Sequence, residues 1–204
     1  MFTFFLEFLG RMIVAVINAL GYGGVVLTMA IESACVPLPS EIIMPFAGFL
    51  ARTGRFNLWL LGFLGALGNL FGSWAAYAVG RYGGRPFLER YGKFIFLSRR
   101  DLDWADHWFV KHGEGTVFFS RLLPVIRTFI SLPAGIAKMN FWKFSLFSLA
   151  GSLPWSLFLA YLGFRLGNRW QDLKFYFHRF DLLVGIILAA ALFWFFRRHF
   201  KKYD

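Results

Sequence analysis

Residues 121–138 read Arg-Leu-Leu-Pro-Val-Ile-Arg-Thr-Phe-Ile-Ser-Leu-Pro-Ala-Gly-Ile-Ala-Lys. Ten uncharged residues, Thr128 to Ala137, stand between Arg127 and Lys138. As a helix they rise only about 15 Å, half of a bilayer's hydrocarbon core. Pro124 breaks the chain just ahead of them. A short helix, a proline break and a second short helix describe a re-entrant hairpin, which enters and leaves the membrane on one face. Non-helical backbone is tolerated at that depth only where protein or a water-filled cavity covers it, so the hairpin is expected to line something.

The same order occurs earlier in the chain. Ile42 to Ala51 gives ten uncharged residues between Glu41 and Arg52, after Pro37 and Pro39. A shift of 87 places pairs Pro37 with Pro124 and Ala47-Gly48 with Ala134-Gly135. Carried on without a gap, it pairs Phe71 with Phe158 and Gly80 with Gly167. Each hairpin is followed by a full span: Leu58 to Val79 is 22 residues without a charge, and Phe144 to Phe164 is 21. About 20 apolar residues cross a bilayer as a helix. Two related halves joined through a single crossing are inverted relative to each other. In transporters built that way the site lies at the repeat interface, near mid-membrane.

Outside the two halves, Met12 to Ile31 is uncharged but interrupted by Gly21-Tyr22-Gly23-Gly24, which predicts one helix, a break and the start of another. Leu182 to Phe196 has 15 uncharged residues. Phe180 and the snorkelling Arg197 and Arg198 extend it to a last span. The expected fold is an all-α integral membrane protein, an inverted repeat of two re-entrant hairpins each followed by a transmembrane helix. Its map is an N-terminal helix (1–24), a first repeat (25–80), an amphipathic linker (81–114), a second repeat (115–167) and a C-terminal transmembrane helix with a basic tail (168–204).

Composition agrees. Of 204 residues 58% are hydrophobic and 16% charged, with 28 Phe and eight Trp, and mean hydropathy is +0.56. Such a chain has too little polar surface for a soluble globule, which excludes disorder and a soluble enzyme as its main description. The first apolar run has no basic residues before it, so no signal peptide is expected. Cys35 is the single cysteine, which forbids an internal disulfide.

The net charge is +11. The basic residues lie at segment ends and not in one stripe, which points to topology and away from nucleic acid. The segment Arg81 to Glu114, with Trp104, Trp108 and Phe109 at helical spacing, reads as lying on the membrane surface. With that segment cytoplasmic, thirteen Lys or Arg fall inside and six outside. Positive-inside then places the C-terminus in the cytoplasm, and the hairpins enter from opposite leaflets.

Ionisable residues in apolar segments are the functional candidates, since each is costly there unless paired or hydrated. There are four: Glu32, Glu41, Arg121 and Arg127. The glutamates are nine apart and the arginines six, out of phase on straight helices. Bends at Pro37 to Pro39 and at Pro124 bring each pair toward one cavity. Two guanidiniums there form a fork suited to phosphate. Carboxylates withdrawn from water hold protons more readily and can couple a site to a proton gradient. The bland reading is that Glu and Arg pair to hold the hairpins together, or that the arginines anchor at the interface. His107 and His112 read as surface residues, and no metal or cofactor is expected. Ser120-Arg121 matches part of a lipid-phosphatase motif without its nucleophilic histidine, so an enzyme is not expected. Gly65, Gly68 and Gly72 form a helix-packing stripe.

The run Phe118-Phe119-Ser120-Arg121-Leu122-Leu123-Pro124-Val125-Ile126-Arg127, with Pro133-Ala134-Gly135 and Met139-Asn140, resembles the signature of the DedA family, the group with the VTT or SNARE-associated domain. Glu32, Pro37-Leu38-Pro39-Ser40-Glu41 and Gly80-Arg81-Tyr82-Gly83-Gly84 match it too. The likeness covers roughly residues 25 to 170. It implies a bacterial inner-membrane protein with two opposed hairpins. Members of that family are linked to moving lipids between leaflets, including undecaprenyl phosphate and phosphatidylethanolamine, and some depend on the proton-motive force. The family's acidic pair carries over to Glu32 and Glu41, the latter at a somewhat different spacing, and its arginines to Arg121 and Arg127. The resulting expectation is a flippase for a phosphorylated lipid, undecaprenyl phosphate first, with membrane lipid and protons as partners and a homo-oligomer possible. A passive phosphatidylethanolamine scramblase and a non-transport scaffold are the rivals.

Overall fold

The computed structural model describes residues 2–35, 38–84, 99–123 and 126–167, with side chains from Phe8 onward in the first segment and, in the third, for 107–109 and 111–123. Pro37, Pro124, residues 85–98 and everything from 168 on, including the expected last span, lie outside the described residues. Every regular element among those described is helical. α1 is Phe2–Leu20, α2 Tyr22–Ser33, α3 Ser40–Arg52 and α4 Leu58–Val79, continued by a π-helical turn over Gly80–Gly84. α5 is Arg99–Ser120, α6 Ile126–Phe129, α7 Ser131–Ile136 and α8 Phe141–Leu166.

Local chemistry sets these boundaries. Gly21, at φ 59°, separates α1 from α2 where the glycine cluster breaks the uncharged run. Pro39 takes an extended conformation and starts α3. Asn57 and Asn140 cap the two long helices, each side chain accepting from backbone N–H groups of the first turn. α4 and α8 are long and apolar enough to cross a membrane. At 13 residues α3 rises about 20 Å, and α6 with α7 is shorter still. α5 continues without a break through position 114, where the sequence map divides linker from second repeat.

Packing is reciprocal. α3 lies against α8, where Gly48 meets the Ala160 carbonyl and Gly163 meets the Pro45 carbonyl so closely that a Cβ on either glycine would overlap the backbone. α7 lies against α4 in the same way, with Gly135 on the Tyr77 carbonyl and Gly80 on the Leu132 carbonyl. The short helix α3 thus packs on α8, and the short helix α7 on α4.

The matched contacts also reset the register. The hairpin members, Pro45 with Leu132 and Gly48 with Gly135, are 87 apart, as the ungapped shift has them. The span members, Tyr77 with Ala160 and Gly80 with Gly163, are 83 apart, as are the caps Asn57 and Asn140. The pairings of Phe71 with Phe158 and Gly80 with Gly167 are therefore one helical turn out. From Gly135 to the cap Asn140 is five positions, against nine from Gly48 to Asn57, a difference of four that no ungapped comparison can register. At 83, Trp59 pairs with Trp142, Ser73 with Ser156 and Gly84 with Gly167.

Two apolar clusters fill the interior. One joins α1, α2 and α3 to both spans through Ile13, Ile17, Val25, Met29, Ile43 and Leu159. The other gathers Tyr77, Val117, Ile130, Met139 and Phe144 where α4, α5 and α7 meet α8. Trp59 and Trp142, in the first turn of each long helix, are 73% and 78% exposed, where aromatic side chains anchor a span at the water–lipid boundary.

Candidate functional site

Four ionisable side chains are buried between α4 and α8. Glu32 ends α2, Glu41 starts α3, Arg121 follows the last turn of α5 and Arg127 lies in α6. Each is less than a tenth exposed, and Arg121 is 1% exposed.

Arg127 joins α6 to the end of α2 and the start of α3. Its Nη2 donates to Glu32 Oε1 at 2.5 Å, to Ser40 Oγ, and at a longer 3.4 Å to Glu41 Oε1. Its Cζ lies 5.4 Å from the centroid of the Trp155 ring on α8, within cation–π range. Two carboxylates and one guanidinium so share a small buried volume. In this cluster Glu32 Oε2 and Trp155 Nε1 are buried without a protein hydrogen-bond partner, as is Ser156 Oγ farther along α8. Such atoms are costly in a low-dielectric interior and mark a place where another group belongs.

Arg121 is held differently. Its Nη2 donates to the hydroxyls of Ser73 (2.8 Å), Ser131 (2.8 Å) and Ser148 (3.1 Å). Its Nη1 donates to Asn69 Oδ1 (3.2 Å) and to the backbone carbonyl of Arg127 (2.9 Å). Asn69 Oδ1 also accepts from Ser33, beside Glu32. One guanidinium therefore ties α4, α6, α7 and α8 together, and neutral acceptors occupy both of its terminal nitrogens. A second link runs from Cys35 Sγ, just after α2, to the Thr128 carbonyl of α6 at 3.6 Å.

Glu32, Glu41 and Arg127 are thus in one cluster, with Arg121 bonded to Arg127 through the backbone rather than beside it in an open fork. Pro39 sits at the first hairpin break, and Pro37 and Pro124 lie outside the described residues. His107 is exposed and the His112 ring packs on Trp108, away from the cluster. Among the described residues no group of His, Cys, Asp and Glu is arranged to hold a metal ion.

Sequence reasoning missed Ser40, Asn69, Ser73, Ser131, Ser148 and Trp155. Two signals pointed to some of them. Asn69 and Ser73 are four apart in an otherwise apolar span. Ser145, Ser148, Ser152 and Ser156 run down one face of α8, and all four are buried. Polar side chains at that spacing in a membrane helix seek partners across a helix interface.

Comparison with known proteins assigns the family. Residues 38–165 match the VTT domain. The chain is 39% identical to undecaprenyl phosphate transporter A of Bacillus subtilis, over 76% of each chain. It is 33% identical to an alkaline phosphatase-like protein of Lactococcus lactis over 93% of each. To protein DedA of Escherichia coli it is 31% identical, over 76% of this chain and 70% of that one. No solved structure matches it. With the VTT domain covering more than half of its length, two apolar spans and these relatives, the chain belongs to the DedA family of membrane proteins.

Proposed function

We propose that this protein moves a phosphorylated lipid, undecaprenyl phosphate first, between membrane leaflets, with the proton-motive force as driver. The observation that carries this reading is the meeting of Arg127 with Glu32 and Glu41 in a buried site between two hairpins and two spans. The likeness to undecaprenyl phosphate transporter A of Bacillus subtilis supports the substrate. The phosphatase-like name of the Lactococcus protein is a statement about that protein, and the reading here is of a transporter and not an enzyme.

Arg127 is the phosphate ligand in this reading, and Trp155 Nε1–H stands ready beside it as a neutral donor. Arg121 binds phosphate directly only after exchanging its bonds to serine and asparagine. In the described arrangement it positions Arg127. Glu32 and Glu41 are the proton-linked groups. A phosphate arriving at Arg127 displaces a carboxylate, and the site then holds more negative than positive charge in a low dielectric. Uptake of a proton by the displaced carboxylate restores the balance. Binding of phosphate and proton are then coupled, and release of one favours release of the other.

The reciprocal packing of α3 on α8 and α7 on α4 supports the inverted repeat of two re-entrant hairpins over residues 25–80 and 115–167, flanked by the N-terminal helix, the linker and the C-terminal span. Short second arms that each rest on the opposite span are suited to alternating access, in which one half rocks against the other around a fixed site. On the count of basic residues the protein is read as lying in a bacterial inner membrane with its C-terminus in the cytoplasm, as a monomer or a homo-oligomer.

Leaflet translocation in proteoliposomes tests the proposal, with labelled undecaprenyl phosphate and phosphatidylethanolamine, with and without a pH gradient. Polyprenyl phosphate movement that requires both the gradient and Arg127 is expected. Gradient-independent movement of both lipids would make the protein a scramblase. Movement of neither, in well-folded protein, would leave the buried charges a structural role alone.

A further inference from the structure

The turn between α7 and α8 contains a backbone conformation that its counterpart between α3 and α4 reserves for glycine. Both turns close alike. Gly54 N–H donates to the Ala51 carbonyl and Arg55 N–H to the Leu50 carbonyl. Lys138 N–H donates to the Gly135 carbonyl and Met139 N–H to the Ala134 carbonyl. This pair of bonds terminates a helix through a left-handed residue, which is usually glycine. The first turn has Gly54 there at φ 84°, and the second has Lys138 at φ 51°. A Cβ is strained in that region, so lysine is a poor choice for folding.

The exposed Lys138 side chain stands where two cavities meet, and both also touch Asn140. One, of about 780 Å³, is bordered by Lys111, His112, Glu114 and Lys143. The other, of about 570 Å³, is bordered by Tyr77, Arg81, Tyr82 and Trp142. Among the described residues, four cations thus border these cavities with one carboxylate, Glu114, which is paired with Lys143. Arg81 is steered by a 2.7 Å hydrogen bond to the Tyr77 hydroxyl. Trp142 and Tyr82 are nearly four-fifths exposed at the rim, and Phe119 two-thirds. Cations below exposed aromatic side chains are suited to an anionic group at the level of lipid headgroups.

We infer that Lys138, with Arg81 and Lys111, forms a surface site for the phosphate of a lipid headgroup, separate from the buried Arg127 centre. It does not depend on the transport reading, because its charge lies outside the buried cluster. Inorganic phosphate shares the chemistry, and the aromatic rim favours the lipid.

The full chain in phosphatidylcholine nanodiscs doped with phosphatidic acid tests this, with retained lipid counted by native mass spectrometry. Lys138→Gly relieves the backbone and removes the charge. Its melting temperature should equal or exceed that of the parent, while phosphatidic acid retention falls about fivefold. Lys138→Asn, which also tolerates the left-handed region, should lose the same retention. Arg165→Ala, an exposed cation on α8 outside both sites, should leave retention unchanged. Parental retention by Lys138→Gly would overturn the proposal. So would loss in Arg127→Ala alone, which would put the lipid in the buried centre. Displacement of phosphatidic acid by millimolar inorganic phosphate would overturn the lipid assignment in favour of free phosphate.

Discussion

Arg121 donates through Nη1 to the backbone carbonyl of Arg127 at 2.9 Å, so one arginine of the motif holds the main chain of the other. They are six positions apart, one just after α5 and the other in α6. The two cations consequently do different work: Arg127 faces carboxylates, and Arg121 faces serines, an asparagine and a carbonyl.

Arg121→Lys is expected to destabilise the protein by about 2–4 kcal/mol, because a single ammonium has three donors and no planar fork to serve five acceptors on four helices. Thermal unfolding in detergent would show it as a lowered midpoint. A midpoint equal to that of the parent would mean the serine cage does not hold the fold together.

Removing either acidic partner of Arg127 should have unequal effects. Glu32→Ala takes away the 2.5 Å partner and leaves a buried cation, with an expected loss of about 3 kcal/mol. Glu41→Gln removes the 3.4 Å partner and keeps the side-chain volume, so folding should be nearly retained. Transport by Glu41→Gln should lose part of its pH dependence. If Arg127→Ala and Glu41→Gln both transport with the parental pH profile, the coupled mechanism is wrong.

The reciprocal glycines make a matched set. Gly48→Ala and Gly135→Ala each push a methyl into a backbone carbonyl of the opposite span. Alanine is favoured over glycine within a helix by about 1 kcal/mol. Here overpacking should outweigh that, with a net loss of about 1–2 kcal/mol in each half. Equal shifts in unfolding midpoint are the expected result. A stabilised variant in either half would show that the two interfaces are not equivalent.

Gly54→Ala isolates backbone strain. At φ 84° with nothing within 4 Å of a built Cβ, it meets no neighbour, so its expected cost of about 1 kcal/mol comes from the left-handed conformation alone. An unfolding midpoint that does not move would show that the turn rearranges freely.

Much of the architecture was legible along the chain because it depends on local properties. An uncharged run from Leu58 to Val79 must be a helix in lipid whatever surrounds it, and α4 has those bounds. The same holds for the glycine break before α2 and for arms too short to cross. Buried Glu32, Glu41, Arg121 and Arg127 stood out because charge is rare in apolar segments. Which of them pair, and with what, depended on contacts between positions far apart in sequence. Glu32 reaches Arg127 across 95 residues, and Arg121 reaches Ser73 across 48. Serine and asparagine are ordinary in sequence and acquire meaning only when a guanidinium is brought to them. The offset of 83 between α4 and α8 became visible likewise, through the glycines that pack on carbonyls and not through residue identity. The sequence alone determined that this chain crosses a membrane and buries four charges, because solvation acts on each residue separately. Only the tertiary structure decided that Arg127 meets the acids while Arg121 is enclosed by hydroxyls, because hydrogen-bond partners are selected by proximity after the helices pack.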